Sequence, residues 1–412
     1  MLQQLWFLFV VNWIFLSEFG LYCIFWNKVR LLERLSMRLA AANVLYVKVF
    51  QAFAVKTFDK NPALLKFTDE APWTDDDVDQ VSLDQLVQEY NIDLNKRPIK
   101  SGMISLVYKG QMNGSPVAIK IQRKNILAKL NHGIANLRFF ARIVSWIPFF
   151  KKFNLVNTVN TNAYLILEQT CFAKEVANLK QMKEICKYLK YVQIPNVFAA
   201  EKYPNIIMME YIDGLPIEQI EPGDRIEFAK LVIKFGIATS LVHGVTHGDL
   251  HRGNILFIKE NKKLKLGILD FGIVNTIDTK FRNNILDFVC GLFTMPAEES
   301  ANKFLLSGIV EPVEIMPKEQ YDTIKQFITT IIQSMICKTR EVDQVELYNL
   351  FRDINSYLTG HVNLGLKPCD GFVKLQLTIA MAHGVTMSLC GEDYSGLLNQ
   401  VITEMFCVGD FL

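Results

Sequence analysis

Residues 247–254 read HGDLHRGN, which packs two histidines, an aspartate, an arginine and an asparagine into eight positions. Sixteen residues past Asn254 comes Asp270, which opens DFG. Upstream, Lys120 closes the apolar run VAIK, and Glu175 lies in FAKEVAN. In this order the groups match what phosphoryl transfer from a nucleotide demands, which is mainly positioning and charge neutralisation. Lys120 would hold the α- and β-phosphates, and Glu175 would hold Lys120. Asn254 and Asp270 are oxygen donors suited to Mg²⁺. Asp249 is the carboxylate that meets the attacking oxygen. VAIK and DFG are weak signals taken singly, whereas HGDLHRGN followed by LDFG is strong. His247 and His251 are read as shaping the loop through hydrogen bonds to backbone. The apolar ILF that follows is expected to pin the loop to a core strand.

The elements that must carry these groups follow from periodicity. ISLVYKGQM (104–112) and SPVAIKIQR (115–123) alternate apolar and polar residues around the turn signal NGS, a β-hairpin pattern that puts Lys120 on a strand. Residues 162–190 have helical spacing, which puts Glu175 on a helix. NIIMMEYIDG (205–214) reads as a buried strand ending in a turn, with Glu210 and Tyr211 at a hinge whose backbone meets adenine. RIEFAKLVIKFGIATSLVHG (225–244) reads as an apolar helix ending at Gly244. Residues 28–58 also read as helical, and 279–412 as mostly helices. TDDDVD, from Thr74, reads as a solvated cap at a helix start.

At 412 residues the chain has room for two or three domains and a sizeable core. Half of it is hydrophobic, as in folded proteins, and the net charge of +2 makes no case for nucleic acid. Eight scattered cysteines with no CxxC pair argue against zinc and disulfides, and for a reducing compartment. Residues 5–26 are almost uncharged, and as a helix they would reach about 33 Å. On insertion scales Glu18 would cost about 2.5 kcal/mol, which thirteen Leu, Ile, Phe and Val residues outweigh. The expectation is a membrane-crossing anchor with Trp6 and Trp26 at its interfaces. Lys28, Arg30, Arg34 and Arg38 then place the rest of the chain on the cytosolic side and leave the organelle open.

Over residues 30–390 the chain resembles the UbiB-type (ADCK-like) atypical kinases, a protein-kinase-like family tied to ubiquinone and other isoprenoid-lipid pathways. HGDLHRGN stands for the family's HxDxHPGN, PIKSGMISLV for PIAAASIGQV, QTCFAKEVAN for ELDFRREAAN, and KVFQ for KxGQ. The resemblance implies an α+β, protein-kinase-like two-lobe fold with a small β-sheet lobe and a large helical lobe. It divides the chain into an anchor at 1–27, a helical extension at 28–97, a small lobe at 98–213 and a helical lobe at 214–412. It implies ATP and Mg²⁺ as cofactors, with Ser101, Gly102 and Met103 in the phosphate loop. Lys48 and Gln51 would form a regulatory extension. Implied partners are a membrane lipid or isoprenoid intermediate, and a second copy or a partner membrane protein.

The chain departs from the family at several motif positions. Gly102 interrupts the alanine-rich loop, so that backbone amides could approach phosphates as in ordinary kinases. Gln169 and Cys171 replace an acidic pair, and Phe50 replaces the small glycine of KxGQ. No APE-type segment follows DFGIVNTIDTKFR, so a protein substrate is not indicated. Two other readings stay open: a small-molecule phosphotransferase of the aminoglycoside- or choline-kinase kind, and a nucleotide-binding scaffold whose catalysis has lapsed.

Overall fold

The structure, a computed structural model, describes residues 2–26, 28–46, 71–146, 155–198, 202–311, 317–342, 367–391 and 394–405. Lys48 and Gln51 lie outside them. The apolar amino terminus forms α1 (Leu2–Phe25), which turns at Trp26 (φ 50°) into α2 (Lys28–Ala42). The expectation of a membrane-crossing anchor is corrected here. Among the described residues, no helix is long and apolar enough to cross a membrane. Glu18 is held between two helices instead. Only 1% exposed, it accepts hydrogen bonds from Arg34 Nε at 3.0 Å and Arg38 Nη1 at 2.7 Å. The acid treated above as a tolerable cost within a span is thus the clasp of a helical hairpin. Val11 and Ile14 of α1 pack on Leu39 of α2 beside it.

The chain divides into two compact units: residues 1–177 with 196–211, and 178–195 with 212–412. The first holds α3 (Gln80–Tyr90) and the strands β1 (Ile92–Leu94), β2 (Lys100–Ser101), β3 (Ser105–Met112) and β4 (Ser115–Gln122). After them come α4 (Ile126–Val144), α5 (Leu155–Glu168) and α6 (Phe172–Ile185), the last of which continues into the second unit. Past β5 (Val192–Gln193), a strand of the second unit, β6 (Val197–Phe198) and β7 (Ile206–Glu210) complete the sheet of the first. Its order is β1-β3-β4-β7-β6, with β2 on β3. Asn113 and Gly114 join β3 to β4 at φ of 52° and 79°, the left-handed pair that a two-residue hairpin turn needs. The sheet begins at β1, upstream of Pro98 where the strand pattern starts. Leu83 and Leu86 of α3 bury against Leu106, Ile119 and Ile121.

In the second unit, α7 (Arg225–Ile237) passes into a π-turn at Ala238–Val242, and Gly244 (φ 68°) breaks the run. β8 (Val245–His247), β9 (Ile255–Glu260), β10 (Lys263–Ile268) and β11 (Val274–Thr276) follow. β9 and β10 form a hairpin that β5 extends, while β8 pairs with β11. The remaining helices are α8 (Thr279–Thr294), α9 (Ala297–Leu306), α10 (Lys318–Val342), α11 (Asp370–Cys390) and α12 (Tyr394–Thr403). Ile255 and Phe257, the apolar residues after the polar motif, are each 1% exposed, so β9 does fix the end of that loop in the core. A sheet-bearing unit followed by a mainly helical one gives the expected α+β class.

Candidate active site

Lys120 stands on β4, paired on one side with Val107 of β3 and on the other with Ile207 of β7. A central strand with neighbours on both sides fixes where the side chain starts. Lys120 Nζ donates to Glu175 Oε1 at 2.5 Å, and the two residues are 6% and 4% exposed. Glu175 lies in the first turn of α6, where the helix dipole favours a carboxylate. The Phe172 ring lies 5.6 Å from Nζ and forms part of the apolar surround. A buried ion pair of this kind is a weak source of stability, because desolvation offsets most of the attraction. Its effect is to hold an ammonium in one place.

The expected phosphate loop is built differently from its motif reading. Ser101 is buried and donates its hydroxyl to the Ala71 carbonyl at 2.7 Å. Met103 packs with Leu45, Ile126 and Leu130. Neither side chain points outward, so these residues can offer a phosphate only backbone. Gly102 does not need to be glycine for its conformation. Among the described residues a Cβ there would meet only the Ser105 carbonyl, at 3.4 Å, and its φ lies outside the left-handed region.

What holds this turn is Arg123, a residue the motif reading passes over. It is 3% exposed. Its Nε donates to the Gly102 carbonyl at 2.9 Å and its Nη2 to Ser101 Oγ at 2.9 Å. Its Nη1 donates to the Pro72 carbonyl and to Asp77 Oδ2, both at 2.8 Å. Asp77 also accepts from Lys129 at 2.7 Å and from the Thr74 amide at 3.1 Å. The acidic run after Thr74 is therefore a cap whose third aspartate, Asp77, anchors Arg123. Burial pushes the Asp77 carboxyl up, but Lys129, Arg123 and the Thr74 amide outweigh it and hold it below the usual range.

At the expected hinge, the Glu210 amide donates to the Asn196 carbonyl at 2.8 Å and the Tyr211 amide to the Pro116 carbonyl at 3.2 Å. The Glu210 carboxylate accepts from Asn196 Nδ2 at 2.8 Å, and Lys109 Nζ sits 3.9 Å from the centre of the Tyr211 ring. Both amides are committed inside the first unit.

The motif 247–254 hangs between β8 and β9. The Gly248 amide donates to the Ile273 carbonyl at 2.9 Å. A Cβ at Gly248 would fall 2.5 Å from Ile273 Cγ2 and 2.7 Å from Asn275 Nδ2, so no side chain fits there. His247 is 1% exposed; its Nδ1 accepts from the Asp249 amide at 3.3 Å and its Nε2 faces the Leu269 carbonyl at 3.3 Å. The carbonyl can only accept, which sets the tautomer, with the proton on Nε2. Burial drives His247 below its ordinary range, against the pull of Asp249 and Asp270, and keeps it neutral. His251 Nδ1 accepts from the Gly253 amide at 3.1 Å.

Asn254 Nδ2 donates to the Asp249 carbonyl at 3.0 Å, which leaves Oδ1 as the acceptor of that amide. Asp270 takes φ of 57°, and its Oδ1 accepts from the Gly272 amide at 3.1 Å. Asn178 of α6 was not singled out in the sequence; its Nδ2 donates to the Phe271 carbonyl at 2.8 Å and steadies this turn. The donor set suits Mg²⁺, because both groups offer oxygen and few protein ligands leave room for phosphate and water. Among the described residues, no group of three or more His, Cys, Asp or Glu could hold a metal unaided.

Comparison with known proteins agrees with this geometry. Residues 67–303 match the ABC1 atypical kinase-like domain. Among relatives is the chloroplastic protein Activity of bc1 Complex Kinase 8 of Arabidopsis thaliana, 23% identical over 52% of this chain and 29% of its own length. The probable protein kinase UbiB of Aeromonas salmonicida is 23% identical over 72% of this chain and 54% of its own. AarF domain-containing protein kinase 1 of Xenopus laevis is 26% identical over 60% and 50%. The chain thus spans 29% to 54% of the length of these relatives. The matched stretch exceeds half of the chain and contains the buried lysine pair, the polar loop and the Asp270 turn. The chain therefore belongs to the ABC1 atypical kinase-like family, as a divergent member of the UbiB type with a protein-kinase-like fold.

Proposed function

We propose that this chain is a Mg²⁺- and ATP-dependent atypical kinase or ATPase that supports membrane-lipid or isoprenoid chemistry. The observation that carries the reading is the buried Lys120–Glu175 pair. An ammonium fixed on a central strand has no need of such burial for stability, but it is suited to receive phosphate oxygens. Asn254 and Asp270 would hold Mg²⁺, which when bound neutralises phosphate charge. Asp249 accepts the proton of the attacking hydroxyl or water.

The reading is tested by thermal unfolding of the full chain with ATP, ADP or neither, each with and without Mg²⁺. At about 100 times the dissociation constant, ATP should add about 2.7 kcal/mol of stability. The Mg²⁺-dependent part should vanish in Asp270→Asn. Absence of any shift in the wild type would overturn the reading.

Membrane association is proposed in a peripheral form. The outer face of α1 exposes Trp6, Phe9, Trp13 and Leu16, from 59% to 69%. Arg34, 56% exposed, and Arg30 supply positive charge close by. Aromatic and basic groups together suit an anionic lipid surface with the helix lying in the interface. The full chain should float with vesicles rich in phosphatidylglycerol. Replacing Trp6 and Trp13 by alanine should weaken that binding about tenfold; flotation unchanged by the double substitution would exclude α1 as the docking face.

A further inference from the structure

The second unit contains a cavity of about 80 Å³, partly open to the outside, walled by α7, its π-turn, α8, α11 and α12. Ile233, Ile237, Leu241, Ile285, Leu375 and Leu398 contribute most of the wall. Three hydroxyl-bearing residues also line it, Ser240, Thr378 and Tyr394, and the first two are satisfied within their own helices. Ser240 Oγ donates to the Gly236 carbonyl at 2.6 Å, and Thr378 Oγ1 to the Lys374 carbonyl at 3.0 Å. Tyr394, also in the wall, packs edge-on against His383 with ring centres 4.2 Å apart. The wall is therefore built to meet hydrocarbon and has little to offer a polar ligand.

Size narrows the occupant further. An apolar cavity of about 150 Å³ takes one benzene, so this one takes roughly three carbon atoms. That is too little for a helix face or a fused-ring compound, and it matches a stretch of one hydrocarbon chain. The position is also informative. Ser240 and Leu241 belong to the π-turn Ala238–Val242, which runs through Gly244 into β8 and the polar loop. π-turns inside helices concentrate at functional sites. None of the groups assigned to nucleotide or Mg²⁺ lines the cavity.

We propose that this cavity is a binding site for a single hydrocarbon chain, acyl or prenyl, held against the π-turn that launches the polar loop. The site is separate from the nucleotide site, and its occupancy does not depend on the kinase reading.

The test uses the full chain and two photoreactive diazirine probes, one with a linear acyl chain and one with a prenyl chain. Each is titrated to saturation, and the labelled peptides are mapped. The expected result is saturable labelling of the segments 233–241 and 375–382. Preference for one probe identifies whether the natural chain is acyl or prenyl. Labelling confined to α1, or no saturable labelling, overturns the proposal. Ala382→Leu, which fills the cavity, should weaken labelling of these segments at least tenfold while leaving the Mg²⁺-ATP thermal shift unchanged. Undiminished labelling in that folded variant also overturns the proposal. Should Ala382→Leu fold poorly, the wild-type peptide map decides alone.

Discussion

Asp249→Asn is expected to cut Mg²⁺-ATP turnover by about 10²–10⁴-fold, the usual contribution of a positioned general base. The nucleotide-dependent thermal shift should survive. Asparagine keeps the backbone contacts of this residue, since the amide of residue 249 still donates to His247 Nδ1 and its carbonyl still accepts from Asn254. The change in side chain removes the capacity to take a proton and the negative charge that faces His251. The Asp249 side chain is 22% exposed, so its replacement costs little in packing. Turnover is measured as phosphate release and as transfer to added lipid; binding is measured by the thermal shift. Turnover within threefold of wild type would remove Asp249 from the reaction. Loss of the shift together with turnover would mean that the residue supports binding instead.

Arg123→Met should lower stability by about 3–5 kcal/mol, the range for breaking a buried ion pair from one side. In melting temperature this is a fall of roughly 6–20 °C for a unit of this size. The substitution takes their arginine donor from the Gly102 and Pro72 carbonyls, removes the bond that Ser101 Oγ accepts, and removes one partner of Asp77. Arg123→Lys should not restore the loss, because one ammonium cannot reproduce the guanidinium fork. A dependence on pH accompanies the loss. The Asp77 carboxyl is held below its unfolded value, so its contribution is complete above about pH 4 and disappears as pH falls through the folded value. Acid should therefore destabilise the wild type more than Arg123→Met. A melting temperature within 2 °C of wild type would show that the turn at Gly102 does not depend on this arginine.

These two residues mark where the sequence was readable and where it was not. The polar loop that carries Asp249 was legible because it is written locally, in residue types that have few other uses side by side. The hairpin at Asn113–Gly114 was legible for a similar reason, since a two-residue turn at positive φ selects its own residues. Lys120 and Glu175 lie 55 residues apart, yet each announces itself through the motif around it.

Arg123 carries no such mark, because most of its partners are backbone carbonyls, which every residue has. Ser101 and Met103 were placed in a phosphate loop by alignment, and alignment does not tell which way a side chain points. The partners of Glu18 were not legible. Its two arginines lie 16 and 20 residues away on another helix, and a hydropathy sum along one segment cannot see them.

The left-handed backbone at Asp270 narrows what can ever stand at that position. Most side chains at φ of 57° would be strained, whereas aspartate and asparagine tolerate it and can both close the turn onto the Gly272 amide. Shape and the side-chain bond to Gly272 together leave two occupants, nearly equal in volume and different in charge. One would build the same turn without the means to balance a cation's charge. The backbone and that bond together define a binary choice here, and the aspartate in this chain is the member of the pair that carries the negative charge.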